Sequence, residues 1–128
     1  MELALQDAAL TPDAIGYINA HGTATPHGDV EESVAVSRLF GNKTPVSSLK
    51  SYMGHTMGAC GALESWMTVG MMNAGVFFPT INLDEVDPAC AEPDHIRGTA
   101  RALSCEYVMK NNFAFGGINT SLIFHRWR

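Results

Sequence analysis

The sequence predicts an α/β layered fold, with one mixed β-sheet and a buried central helix, from three observations. Strands alternate with helices along the N-terminal part, a Gly- and Ala-rich apolar helix lies midway, and the C-terminal stretch reads as a β-hairpin. At 128 residues, with 46% hydrophobic and 16% charged residues, the chain is one domain in size and apolar for its length. Part of that apolar surface is expected to lie against another chain or a second half.

Residues 2–10 form a short helical segment ending at Thr11-Pro12, and residues 14–20 read as a buried strand running into His21-Gly22. A polar turn over 23–28 follows. Asp29 and Glu32 have the spacing of a capping box, which starts a helix over 30–40 that stops at Gly41-Asn42. Residues 45–49 form a second strand, delivering Lys50 and a turn over 51–55 to the long helix 56–74, which Gly75 closes as its C′ residue. The small residues at 58–62 let a neighbouring backbone approach, which suits a helix at the centre of a layered fold. Residues 76–81 form a third extended segment, and 82–101, with Pro88 and Pro93, an irregular surface excursion. The hairpin strands cover 102–113 and 119–125, joined through 114–118.

A net charge of −5, with Lys and Arg scattered, excludes a nucleic-acid footprint. Cys60, Cys90 and Cys105 form no CxxC pair and leave an odd thiol, which points to a reducing cytoplasm rather than a disulfide framework. The N-terminus lacks the basic and apolar regions of a signal peptide. The longest apolar stretch, 57–74, is interrupted by Glu64, Thr68 and Asn73, so it reads as a buried helix and not a membrane span.

Three loops at strand ends stand where open α/β sheets place their ligands: His21 to Pro26, Lys50 to His55, and Asn112 to Gly117. Singly, a histidine at a strand end is more often structural than catalytic, and a Gly-Gly turn is usually backbone geometry. In this order they carry the motifs HGTxTPxGD, KSxxGHxxGAxGALES and NxFxFGGxNxSLIF, with PTINL at 79–83 between the last two. Together these resemble the C-terminal half of the β-ketoacyl-acyl carrier protein synthases of fatty acid and polyketide assembly, over residues 14 to 125.

The resemblance implies half of a duplicated, five-layered thiolase-like fold, with residues 1–128 as the C-terminal domain and the half bearing the nucleophilic cysteine absent. It implies His21 and His55 as the catalytic pair for decarboxylative condensation, with Lys50 beside them and Glu64 as the partner of Lys50. Such imidazoles can donate an N–H to the oxygen where thioester charge develops, often the largest single catalytic effect. His55 precedes a long helix, whose positive end is expected to keep its ring neutral. Glu64 could equally lie on a wet helix face, but its neighbours Leu63, Trp66 and Met67 favour burial with a partner.

By the same resemblance Thr23 and Thr25 hold the carrier's phosphopantetheine, although turn chemistry at Thr25-Pro26 is an equal alternative. Phe115 corresponds to the gating residue that also contributes its N–H to an oxyanion hole, with Gly116 and Gly117 letting that backbone bend. No cofactor is implied beyond the phosphopantetheine that carries substrate, and no metal, because His21 and His27 lack a third soft ligand.

The implied partners are an acyl carrier protein, the N-terminal half of the synthase, and a second subunit in a homodimer or heterodimer. Alone, the chain is expected to be inactive for want of the nucleophile. Two alternatives stand beside this reading: a non-catalytic partner like a chain-length factor, a kind that usually lacks the histidine pair, and an inactive truncated fragment. Thiolases differ in carrying a cysteine near the C-terminus, where none follows Cys105 here, and initiating synthases pair one histidine with an asparagine. Ala114 and Ile118 replace the family's usual glycine and threonine or serine, which is expected to restrict the Phe115 loop and to mark an accessory or specialised synthase.

Overall fold

The computed structural model describes residues 1–127. Its elements in chain order are α1 (Glu2–Asp7), β1 (Ile15–Asn19), α2 (Pro26–Phe40), β2 (Pro45–Ser47), α3 (Lys50–Met53), α4 (Cys60–Ala74), β3 (Val76–Phe77), β4 (Asp94–His95), β5 (Arg101–Ala102), β6 (Tyr107–Ala114) and β7 (Ile118–His125). Five strands form one sheet in the order β4-β2-β1-β6-β7. The pairs β4·β2, β2·β1 and β1·β6 are parallel, and β6·β7 is an antiparallel hairpin, so the sheet is mixed as expected.

The central strands are covered on both faces, and the two-residue period of a strand decides which side chain meets which helix. In β6, Met109 packs with Ile18, Val36 and Phe40 in a core shared with α2. Val108 points the other way, packing with Tyr17, Met71 and Met72 in a core shared with α4. Asn111 and Lys110 continue the alternation: the first bonds Glu32 of α2, and the second meets Glu64 of α4. Both polar side chains therefore enter layers that their strand neighbours fill with hydrocarbon.

Several boundaries differ from the sequence reading. Helix α2 starts four residues earlier, at Pro26, because Thr25 is the N-cap and accepts the Gly28 N–H at 3.2 Å. Proline at the first helical position has its φ already set and lacks an N–H that would go unpaired there. Glu32 is consequently no capping-box partner but a buried residue well inside the helix. The turn predicted after Lys50 is the short helix α3, and α4 begins at Cys60 after a 3-10 turn over Met57–Ala59. Gly75 closes α4 in the left-handed conformation, as predicted.

Only Val76 and Phe77 of the third extended segment are strand, paired with Arg101 and Ala102 in a separate two-stranded sheet. The hairpin therefore starts at Tyr107, and Cys105 lies before it in irregular backbone. The excursion over 82–101 is not wholly irregular: Asp94–His95 adds the edge strand β4 beside β2. A two-residue strand after a proline carries no pattern of its own, and its pairing with β2 is what makes it one. No helix among the described residues is long and apolar enough to cross a membrane.

Candidate active site

His21 lies two residues beyond the end of β1 and is 8% exposed. The turn that carries it is fastened from α2: the Glu32 carboxylate accepts the His21 N–H at 2.9 Å on one oxygen and the Gly22 N–H at 2.8 Å on the other. Gly22 has a φ of +42°, and a Cβ there would lie 2.7 Å from the Ser48 side chain, so the turn excludes every other residue by conformation and by space. Asn111 donates a further, longer bond to Glu32 at 3.4 Å. Burial raises the Glu32 pKa, against the lowering effect of these hydrogen bonds.

The imidazole is held from the opposite side. Lys50, at the start of α3, brings its Nζ within 3.3 Å of His21 Nδ1. An ammonium only donates, so Nδ1 is the acceptor and the neutral ring carries its proton on Nε2. His55 reaches the same tautomer by another route, its Nδ1 accepting the Met57 N–H at 3.0 Å. The two rings lie edge to face with centroids 5.5 Å apart, and the Phe113 ring packs against His21 at 5.7 Å. Burial, followed by the charges of Lys50 and Lys110 and the neighbouring His55, lowers the His21 pKa to about 4. At neutral pH His21 is an uncharged hydrogen-bond donor.

Beneath Lys50 lies a buried carboxylate between two ammoniums. Glu64 Oε1 pairs with Lys50 Nζ at 2.6 Å, and Oε2 pairs with Lys110 Nζ. Glu64 is fully buried and Lys110 is 1% exposed, so the wet-face alternative for Glu64 is excluded. Leaving any member unpaired in this setting would cost several kcal/mol (about 3–5).

Thr23 and Thr25 share a hydrogen bond at 3.0 Å, and Thr25 also caps α2, so its turn chemistry is present whatever else it does. They line, with Lys50, His55, Thr80 and Cys90, a cleft of about 650 Å³. Phe115 stands fully exposed at the tip of the β6–β7 hairpin, where Gly116 and Gly117 take φ values of +87° and +80°. The aromatic ring beside His21 is Phe113, not Phe115. All three cysteines are free thiols, Cys60 and Cys105 being buried. Among the described residues no group of three or more His, Cys, Asp or Glu side chains is arranged to hold a metal ion.

The sequence reading thus named His21, Lys50, His55 and Glu64, which the fold brings together, and missed Glu32, Lys110 and Phe113. A lysine at the centre of an apolar strand was the available signal for Lys110. A charge there demands a counter-charge from the layer above.

Residues 1–84 match the family described as the β-ketoacyl synthase C-terminal domain. The chain belongs to that family. It is 41% identical over 128 residues to the 3-oxoacyl-[acyl-carrier-protein] synthase 2 of Synechocystis sp., covering 98% of this chain and 30% of that protein. A β-ketoacyl synthase from Burkholderia phymatum superposes with a TM-score of 0.98 at 66% identity, over the whole of this chain and 31% of that one. A type II polyketide ketosynthase solved with its acyl-carrier protein superposes with a TM-score of 0.92 at 31% identity, over 99% of this chain and 32% of that one. The chain therefore spans about a third of the length of such relatives, and its architecture is the C-terminal part of their thiolase fold.

Proposed function

We propose that this domain provides the decarboxylation and oxyanion residues of a 3-oxoacyl-acyl carrier protein synthase, working with a cysteine-bearing N-terminal half. The observation that carries the reading is the histidine pair. Two imidazoles with centroids 5.5 Å apart each have Nδ1 occupied as an acceptor, which leaves Nε2–H free to donate.

In the proposed reaction the cysteine of the other half holds the growing acyl group as a thioester. Malonyl-carrier protein enters past Thr23 and Thr25, whose hydroxyls and the adjoining cleft suit an amide-bearing phosphopantetheine arm. Cleavage of the bond between the carboxylate and the α-carbon releases CO₂ and leaves the electron pair as an enolate. His21 and His55 donate to its thioester oxygen while the α-carbon attacks the acyl carbonyl and expels the cysteine thiolate. Donors fixed before the charge appears need no reorganisation when it does. Lys50 holds the ring of His21 in the productive tautomer, Glu64 fixes Lys50, and Phe115 on its hairpin gates the acyl side. The carrier protein and the N-terminal half are the partners this scheme requires. Retention of both histidines with Lys50 favours it over a non-catalytic chain-length role.

The test is condensation of an acyl thioester with malonyl-carrier protein by this domain joined to or co-expressed with a cognate cysteine-bearing half. His21→Ala and His55→Ala should each lower kcat on the order of a hundredfold or more. Turnover unaffected by both substitutions overturns the reading.

A further inference from the structure

The functional reading uses one of the two buried lysines and leaves the other unexplained. Lys110 sits in β6, paired with Asn19 at the end of β1 and with Leu122 of β7, one strand over from the backbone that carries His21. Its neighbour two residues earlier on the same face, Val108, is hydrocarbon packed against α4. A lysine at 1% exposure in that layer needs both a counter-charge and a hydrogen-bond acceptor. It has both: the Oε2 oxygen of Glu64 as ion-pair partner and the Asn111 carbonyl at 2.6 Å as acceptor. The Oε1 oxygen of the same carboxylate holds Lys50 at 2.6 Å, and Lys50 in turn meets His21 Nδ1 at 3.3 Å.

The chain of contacts thus runs Lys110, Glu64, Lys50, His21. With one carboxylate between two ammoniums, the buried triad keeps a surplus positive charge on the side of His21. Without Lys110, the pair of Glu64 and Lys50 would be neutral, and Lys50 would be the sole cation competing for both carboxylate oxygens.

We propose that Lys110 is a positioning residue: by occupying the second oxygen of Glu64 it keeps Lys50 aimed at His21 Nδ1 and holds His21 as the Nε2–H tautomer. This rests on the functional reading above and adds to it a residue that never touches substrate. The groups bearing on the His21 ring are Lys50 from α3, His55 from the loop that follows, Lys110 from β6 and Glu64 from α4, with Glu32 of α2 bonded to its backbone. Burial together with three of these, Lys50, Lys110 and His55, acts to keep the ring uncharged, and Glu64 acts against them.

The decisive measurement is an NMR titration of the full chain with labelled histidine, reading the midpoint and tautomer of His21 separately from those of the other four histidines. In Lys110→Met the midpoint should move up from about 4, by on the order of one unit, with mixed tautomers, while the other histidines stay put. Lys110→Arg, which keeps the charge, should stay near the unsubstituted midpoint. A purely structural lysine would change stability and leave the His21 signals alone, so an unchanged midpoint and tautomer in folded Lys110→Met overturns the proposal.

Should that variant not fold, labelled lysine in the unsubstituted chain decides. Burial lowers the Lys110 pKa while its pairing with Glu64 acts against that, and the proposal requires the charged form at pH 7. A neutral Lys110 amine at pH 7 overturns the proposal. In the condensation assay Lys110→Met should lower kcat with KM for malonyl-carrier protein unchanged. The NMR effect without any condensation by the unsubstituted domain paired with its cysteine-bearing half would defeat the functional reading alone, and condensation without the NMR effect would defeat this inference alone.

Discussion

Glu32 and Glu64 are two buried carboxylates, on the helices that cover opposite faces of the sheet, and their charges are met in opposite ways. Glu32 is surrounded by neutral donors: the backbone N–H groups of His21 and Gly22, and the amide of Asn111. Glu64 is held between the ammoniums of Lys50 and Lys110. The difference separates two tasks that meet at a single residue. On α2's side a carboxylate that accepts backbone N–H groups fixes where the His21 backbone turns, and charges from α4's side fix which nitrogen of its ring carries the proton. Geometry and electrostatics are thereby supplied by different elements.

The largest effect should come from removing the charged member. Glu64→Ala leaves two ammoniums buried without a counter-ion and should destabilise the fold by about 3–5 kcal/mol in urea unfolding. A change below about 1 kcal/mol would mean that water or a bound anion reaches the triad, and the contrast with Glu32 would collapse.

A smaller loss is expected from the other side. Glu32→Gln keeps one acceptor but turns an NH₂ toward a backbone donor, at a cost of about 1–3 kcal/mol at pH 7. Faster hydrogen exchange confined to the amides of His21 and Gly22 would identify the broken contact.

The smallest and most informative effect is on pH dependence. His21 binds its proton at about 4 when folded against 6.5 unfolded, so between those values the unfolded chain takes up more protons and stability falls as pH falls. Glu32 has a raised pKa, so in the window above 4.5 the folded chain binds more protons and stability rises as pH falls. The two slopes oppose each other in the unsubstituted protein. Glu32→Gln should therefore steepen the loss of stability on acidification below pH 6.5, and a shallower slope would show that the assignment of the two groups is reversed.

Much of this arrangement was legible in the sequence, because its motifs mark loops at strand ends. His21 lies far along the chain from Lys50, His55 and Glu64, and meets them because β1 and β2 are parallel neighbours and α4 packs on the adjoining β6. What was not legible depends on register and burial. Glu32 was read as a capping partner because the helix was started at Asp29, although Pro26 at the first helical position and Thr25 before it offered the earlier start. Lys110 falls in a run that reads simply as strand, and only the alternation fixed by pairing with β1 and β7 turns it toward α4. The edge strand at Asp94–His95 has no pattern of its own, and the small sheet of β3 and β5 forms where the two ends of the excursion between them meet.

The turn at Gly22 has a consequence for anyone recoding this region. With Ser48 at 2.7 Å from where a methyl group would sit, no diversity can be introduced at that step without rebuilding the neighbouring strand end as well. Ala24 also has a positive φ, +57°, but is exposed, so its restriction is one of conformation, which glycine or asparagine meets. Variation that reshapes the mouth of the cleft is thus channelled to the threonine side of the loop, while the histidine side is frozen by the shape of its own backbone.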